Sequence, residues 1–187
     1  MNEIWQQRLD SAFDKYFAMS KILQRDMEAL LSNDDESESS RRNFIRAAAS
    51  LIEGYAHCFR EMCAVGLETG PGALTAKEEN VLKDERGFGS IDRIKYTLRG
   101  TYRMFQLPSP PEFSDRGWVD AQALLKKRDA LMHPKSVEDL SISEQQWLGL
   151  HSGAVWVLAQ LFGFMAQLAI AHGTQQTLPA DAGNPRG

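Results

Sequence analysis

The chain has 187 residues, 43% of them hydrophobic, with 25 acidic against 21 basic side chains and a formal net charge of -4. That length supports one substantial core, so a single domain is expected. An acidic balance excludes a surface coated in positive charge for indiscriminate nucleic-acid binding, and any contact with RNA or DNA must be local.

Residues 2–31 place Ile4, Leu9, Phe13, Tyr16, Leu23, Met27 and Leu30 at spacings of mostly three or four, which predicts an amphipathic helix. The opening MNEIWQQRLDSAF has neither the continuous apolar region nor the cleavage site of a secretory signal, so no export is expected. LSNDDESESS, residues 31–40, cannot bury apolar surface and reads as a solvated connection. A second helix follows, with Phe44, Ala48, Leu51, Tyr55, Phe59 and Met62 on its apolar stripe and Arg46, Ser50, Glu53 and His57 on another face. Cys58 and Cys63 are five apart on this helix and point away from each other, which disfavours a disulfide and fits a reducing, cytoplasmic setting. Together with His57 they are too few and too closely placed for a zinc site, so no metal or other cofactor is expected.

GLETGPGAL, residues 66–74, breaks the helix, and Thr75 with Glu78 has the spacing of a capping box for a short third helix. GFGS at 87–90 resets the chain. Ile91, Ile94, Leu98, Tyr102 and Phe105 then form the buried side of a fourth helix, beside a row of Lys95, Arg99 and Arg103 at intervals of four. Trp118–Met132 reads as the fifth helix, and the last starts near Ser141, with Glu144 completing a second capping box. From Trp147 to Ala171 there is no formally charged side chain, a stretch long enough to cross a bilayer. His151, Ser152, Gln160 and Gln167 within it, and the lack of Lys/Arg clusters at its ends, favour instead a buried helix central to the bundle or to a dimer. Gly149, Gly153 and Gly163 would let another helix approach closely. His151 reads as a satisfied core histidine. The tail GTQQTLPADAGNPRG, residues 173–187, is expected to be disordered. The outcome is an all-α fold, a bundle of about five or six helices forming one domain over residues 1–172.

KKRDALMHPK, residues 126–135, concentrates cations in this acidic chain. Arg128 and His133 are five apart, about 140° around an ideal helix, and would not share a face. Pro134 disfavours α geometry at His133, so the helix should loosen there and let the histidine turn toward the arginine. Arginine offers a fixed fork of donors to phosphate oxygens and can stabilise a pentacoordinate phosphorane, while histidine exchanges a proton near neutral pH. Asp129 could orient either group. The alternative is a helix C-terminus whose basic groups meet the dipole.

RDALMH, Arg128 to His133, resembles the R-x4-6-H motif of the HEPN superfamily (higher eukaryotes and prokaryotes nucleotide-binding domain). RRNFIRAAASLIEGYAHCFREM, residues 41–62, looks like the long early helix of those bundles, and the resemblance covers roughly residues 40–172. It implies a homodimer whose two Arg-His pairs form one composite, metal-independent endoribonuclease site, with Arg128 and His133 catalytic and Asp129 the accompanying polar group. The product would carry a 2′,3′-cyclic phosphate. Such proteins resemble toxins of toxin-antitoxin and phage-defence systems, so an antitoxin or a defence-system protein is an implied partner, and a membrane is not. In the subgroup silenced by a nucleotidyltransferase antitoxin a tyrosine stands two residues after the histidine, but here that position is Lys135. Other members are catalytically silent and bind a nucleotide or a partner protein, which is the second reading.

Around this pair, Lys126, Lys127 and Lys135 read either as RNA-backbone contacts or as solvated lysines. Lys95, Arg99 and Arg103 extend a phosphate track or form a charged outer face. Glu53 and His57 either support the Arg-His pair or face solvent.

Overall fold

A computed structural model describes residues 3–31, 37–68, 74–84 and 86–176. They form six helices: α1 (Glu3–Leu31), α2 (Glu38–Leu67), α3 (Ala76–Lys83), α4 (Ser90–Met104), α5 (Arg116–Met132) and α6 (Glu144–Gln176). The fold is all-α.

Capping chemistry sets most of the boundaries. The Ser37 hydroxyl accepts from the Ser40 N–H at 3.2 Å, and Glu38 favours the helix N-terminus electrostatically. The acidic connection expected over 31–40 is therefore narrower: α1 includes Leu31, α2 already includes residues 38–40, and residues 32–36 lie outside the described ones. Residues 69–73 of the glycine-rich break also lie outside them. Thr75 and Glu78 form the expected reciprocal box, at 3.3 and 2.9 Å. Helix α5 starts two residues before Trp118, because Asp115 accepts from the Trp118 N–H at 3.0 Å. The box before α6 is not Ser141 with Glu144. It lies two residues on, where Ser143 and Gln146 exchange bonds at 3.3 and 3.1 Å. Helix α6 also runs four residues past the expected domain end, to Gln176, and residues 177–187 of the expected tail lie outside the described ones.

Helix α2 is the hub, packed against each of the other five helices. Its Tyr55, Phe59 and Met62 are fully buried, and Phe59 meets Phe164 of α6 at a ring separation of 4.4 Å. Helix α1 lies along α2 through Leu9, Tyr16 and Met27. There the Tyr55 hydroxyl bonds Ser20 at 2.6 Å and Gln24 at 3.0 Å. Helices α5 and α6 form an intimate pair. A Cβ on Gly153 would collide with the backbone of Asp120, and one on Gly117 would enter the Trp156 indole. Of the three glycines expected to admit a neighbouring helix, Gly153 meets backbone, while Gly149 and Gly163 face only side-chain atoms at 3.7 Å.

Between residues 147 and 170, where it carries no charged side chain, α6 is buried along one side only. Leu150, Ala154, Val157, Leu161, Phe164 and Leu168 face the core, and the opposite side is exposed. It is a helix long and apolar enough to cross a membrane, over Glu144–Ile170.

Candidate functional site

The Arg-His motif occupies the last turns of α5. The backbone leaves the helix at His133, with φ -132° and ψ 59°, as a residue before proline should. The His133 N–H still donates to the Asp129 carbonyl at 3.1 Å, while the side chain is exposed.

Arg128 turns inward. Its side chain is only 18% exposed and pairs with Glu53 of α2 and with Asp129 at 3.1 Å. Glu53 also meets Arg93 of α4 at 3.6 Å, and Asp129 accepts from the Ser90 hydroxyl at 3.1 Å. Two guanidiniums and two carboxylates thus tie α2, α4 and α5 together, and the buried Arg128 Nε has no hydrogen-bond acceptor among the described residues. The structure joins Arg128, Asp129 and Glu53; it does not link Arg128 to His133 by a hydrogen bond. His57, one turn beyond Glu53, lies 3.8 Å from Glu61 and is largely exposed. With Glu53, Arg60 and Arg93 it lines a cavity of about 160 Å³.

The chain on both sides of His133 is pinned from several directions. Arg46 donates to the Leu131 carbonyl at 3.4 Å, Arg42 to Leu140 at 3.0 Å, and Arg41 to Ile142 at 3.4 Å. Asp139 accepts from the Lys135 and Ser136 N–H groups at 2.8 and 3.1 Å. Lys127 donates to the Ser141 and Glu138 carbonyls at 2.6 and 3.4 Å. Lys127 is thus a staple across the α5–α6 connection rather than a solvated cation. Arg41, Arg42, Arg93 and Asp139 were not legible as site residues. Arg41 and Arg42 look in sequence like any solvated helix start, and Arg93 lies off the basic row of α4.

The remaining cations separate. Lys126 is two residues from Arg128, about 200° around α5, and lines a groove between α5 and α6 with Arg116 and Gln146. Lys135 is exposed beside His133. On α4, Lys95 lies over the Phe113 ring at 5.7 Å, but Arg99 and Arg103 pair with Glu78 at 3.4 and 3.0 Å. Glu78 is fully buried. A buried carboxylate is stable only when paired, so the row read as a phosphate track or a charged outer face gives two of its three cations to holding α3 on α4. His151 is half-buried rather than in the core, stacked on Phe44 at 5.2 Å and beside Trp147 at 5.5 Å.

Both cysteines are free and buried. Burial pushes the Cys58 thiol up to about 11 and the Cys63 thiol up to about 12. Neither is a poised nucleophile.

Comparisons with protein-family models, with curated proteins and with solved structures return no match.

Proposed function

We propose that the protein is an HEPN-like, metal-independent endoribonuclease, acting in the cytoplasm as a homodimer, as a toxin or defence effector. The observation that carries this reading is the placement of the motif arginine. Arg128 is gripped by Glu53 and Asp129 beside a helix end where His133 is open to solvent. A guanidinium oriented by carboxylates is pre-organised for a phosphate, and an exposed imidazole can reach a ribose hydroxyl.

The chemistry is a transesterification. His133 takes the proton of an RNA 2′-hydroxyl, and the oxygen attacks the adjacent phosphorus. Arg128 stabilises the phosphorane. The bond from phosphorus to the 5′-oxygen breaks, and that oxygen receives a proton from the imidazolium of His133 or of the partner subunit, leaving a 2′,3′-cyclic phosphate and a 5′-hydroxyl. Lys135, exposed beside His133, is suited to the RNA backbone.

A second reading draws on the same cluster. Arg128 already faces two carboxylates, which would oppose an incoming phosphate and suits a silent module that binds a partner protein or a nucleotide. Cleavage of an RNA panel by purified protein in excess chelator separates the two. Nuclease action requires cyclic phosphate ends from the wild type and their loss in His133→Ala and Arg128→Ala. Equal cleavage by all three would remove the motif from the mechanism, and uniform inertness would favour the binding module.

A further inference from the structure

Helix α4 ends in a cap that carries the wrong residue for its geometry. The Leu107 N–H donates to the Tyr102 carbonyl at 2.9 Å and the Gln106 N–H to the Arg103 carbonyl at 3.1 Å, the paired bonds of a Schellman motif. That motif requires a left-handed backbone where Gln106 stands, at φ 52°, and glycine meets the requirement without steric cost. Among the described residues Gln106 is the only non-glycine with positive φ, and it lines a cavity of about 630 Å³ between the end of α4 and the α4–α5 connection. A strained residue kept at a cavity wall points to a use for its side chain. Arg99 and Arg103 line the same cavity, held by Glu78 at 3.4 and 3.0 Å and each still more than a third exposed. Every guanidinium has five N–H donors, and the single carboxylate of Glu78 cannot occupy them all. Tyr102, Pro110, Pro111 and Phe113 supply apolar walls. The prolines fix their own backbone, so the walls are stiff before anything binds.

We propose that this cavity is a binding site for a small aromatic monocarboxylate. The carboxylate sits on the Arg99 and Arg103 forks, the Gln106 amide donates to it, and the ring lies against Phe113 and the prolines. The cavity has the size of a small-molecule site, and it has the make-up of one, a few convergent polar groups on apolar walls. A guanidinium fork matches the planar oxygens of a carboxylate. Charge selects a monoanion. Arg99, Arg103 and Lys95, which lies over the Phe113 ring at 5.7 Å, face two carboxylates, the buried Glu78 and Glu112 of the cavity lining. The balance is one positive charge, which a monocarboxylate neutralises and a phosphate dianion exceeds. The cavity shares no residue with the Arg128 cluster, so this site does not depend on the nuclease reading.

The test is isothermal titration calorimetry of the full chain with 2-naphthoate near neutral pH. Binding to one site is expected with a Kd below about 1 mM. The matching alcohol, 2-naphthalenemethanol, and the matching dianion, 2-naphthyl phosphate, are each expected to bind about tenfold more weakly. Arg99→Lys keeps a positive charge beside Glu78 but loses the fork, and is expected to weaken 2-naphthoate about tenfold. Gln106→Gly relieves the left-handed backbone, so it is expected to melt no lower than wild type and still to bind about fivefold more weakly. That variant decides the matter if Arg99→Lys misfolds. Absence of 2-naphthoate binding overturns the proposal, as does Gln106→Gly binding as tightly as wild type. Equal binding of the alcohol also overturns it, by reducing the cavity to an apolar cleft, and tighter binding of the phosphate ester would assign the arginines to phosphate instead.

Discussion

Glu53 of α2 and Arg128 of α5 form an ion pair across two helices that are 75 residues apart in the chain. The arginine is largely buried and the carboxylate about a third exposed, so solvent screens the pair only in part. Arg128→Gln should therefore lower stability by about 1–3 kcal/mol. Glu53→Gln should lower it less, because Glu53 also faces Arg93. A double-mutant cycle read from urea midpoints should give a coupling of about 1 kcal/mol; additivity within 0.3–0.5 kcal/mol would mean that the contact is energetically idle.

Glu78 anchors a second charge cluster. Removing both of its partners in Arg99→Gln/Arg103→Gln leaves a carboxylate in the α3–α4 interface without its two guanidiniums. A loss of about 3 kcal/mol is expected. Restoring part of it with a third change, Glu78→Gln, would separate an unpaired-charge effect from lost arginine packing. The triple variant should be more stable than the double.

The contact between Gly153 and Asp120 is a steric test of the α5–α6 pair. A methyl group at residue 153 meets main-chain atoms that cannot rotate away. Gly153→Ala should destabilise by about 1–3 kcal/mol, despite alanine's higher helix propensity. Gly163→Ala is the control. Its nearest neighbour is the Tyr102 hydroxyl at 3.7 Å, so it should be neutral or stabilising in the same thermal melt.

Burial of Cys63 sets an alkaline limit. Burial pushes its thiol up to about 12 from an ordinary value of 9.0, so between those values the native state holds a proton that the unfolded chain has released. Stability is then fully present below pH 9 and falls as pH rises toward 12. Cys58 and Tyr16 are pushed upward as well and act in the same direction. Denaturant midpoints at pH 7.5 and pH 10.5 should show the decline, and Cys63→Ala should make it shallower. An identical slope in that variant would exclude Cys63 as a contributor.

The helices were legible because their signals are local. The stripe of Phe44, Tyr55 and Phe59, the Thr75–Glu78 box and the break at His133–Pro134 each depend on residues within a few positions, and each occurs where expected. Boundaries slipped where two local signals competed, as with Ser141 and Ser143 before α6, both followed three residues later by a residue that can return the bond. Roles of charged residues were harder to read. Lys127, Arg99 and Arg103 looked like surface cations because nothing nearby in the chain shows that they face the Ser141 carbonyl and the buried Glu78.

By itself, then, the amino-acid order determined an all-α chain, the apolar face of α2, and an Arg-His motif ending at a proline, all consequences of helical periodicity and backbone sterics. Only the tertiary structure decided that Arg128 turns to Glu53 while His133 stays exposed, and that one side of α6 is left uncovered. Those outcomes depend on how helices cross. Ion pairing and burial act between surfaces brought together by packing, and no spacing along a single helix encodes which surface arrives opposite.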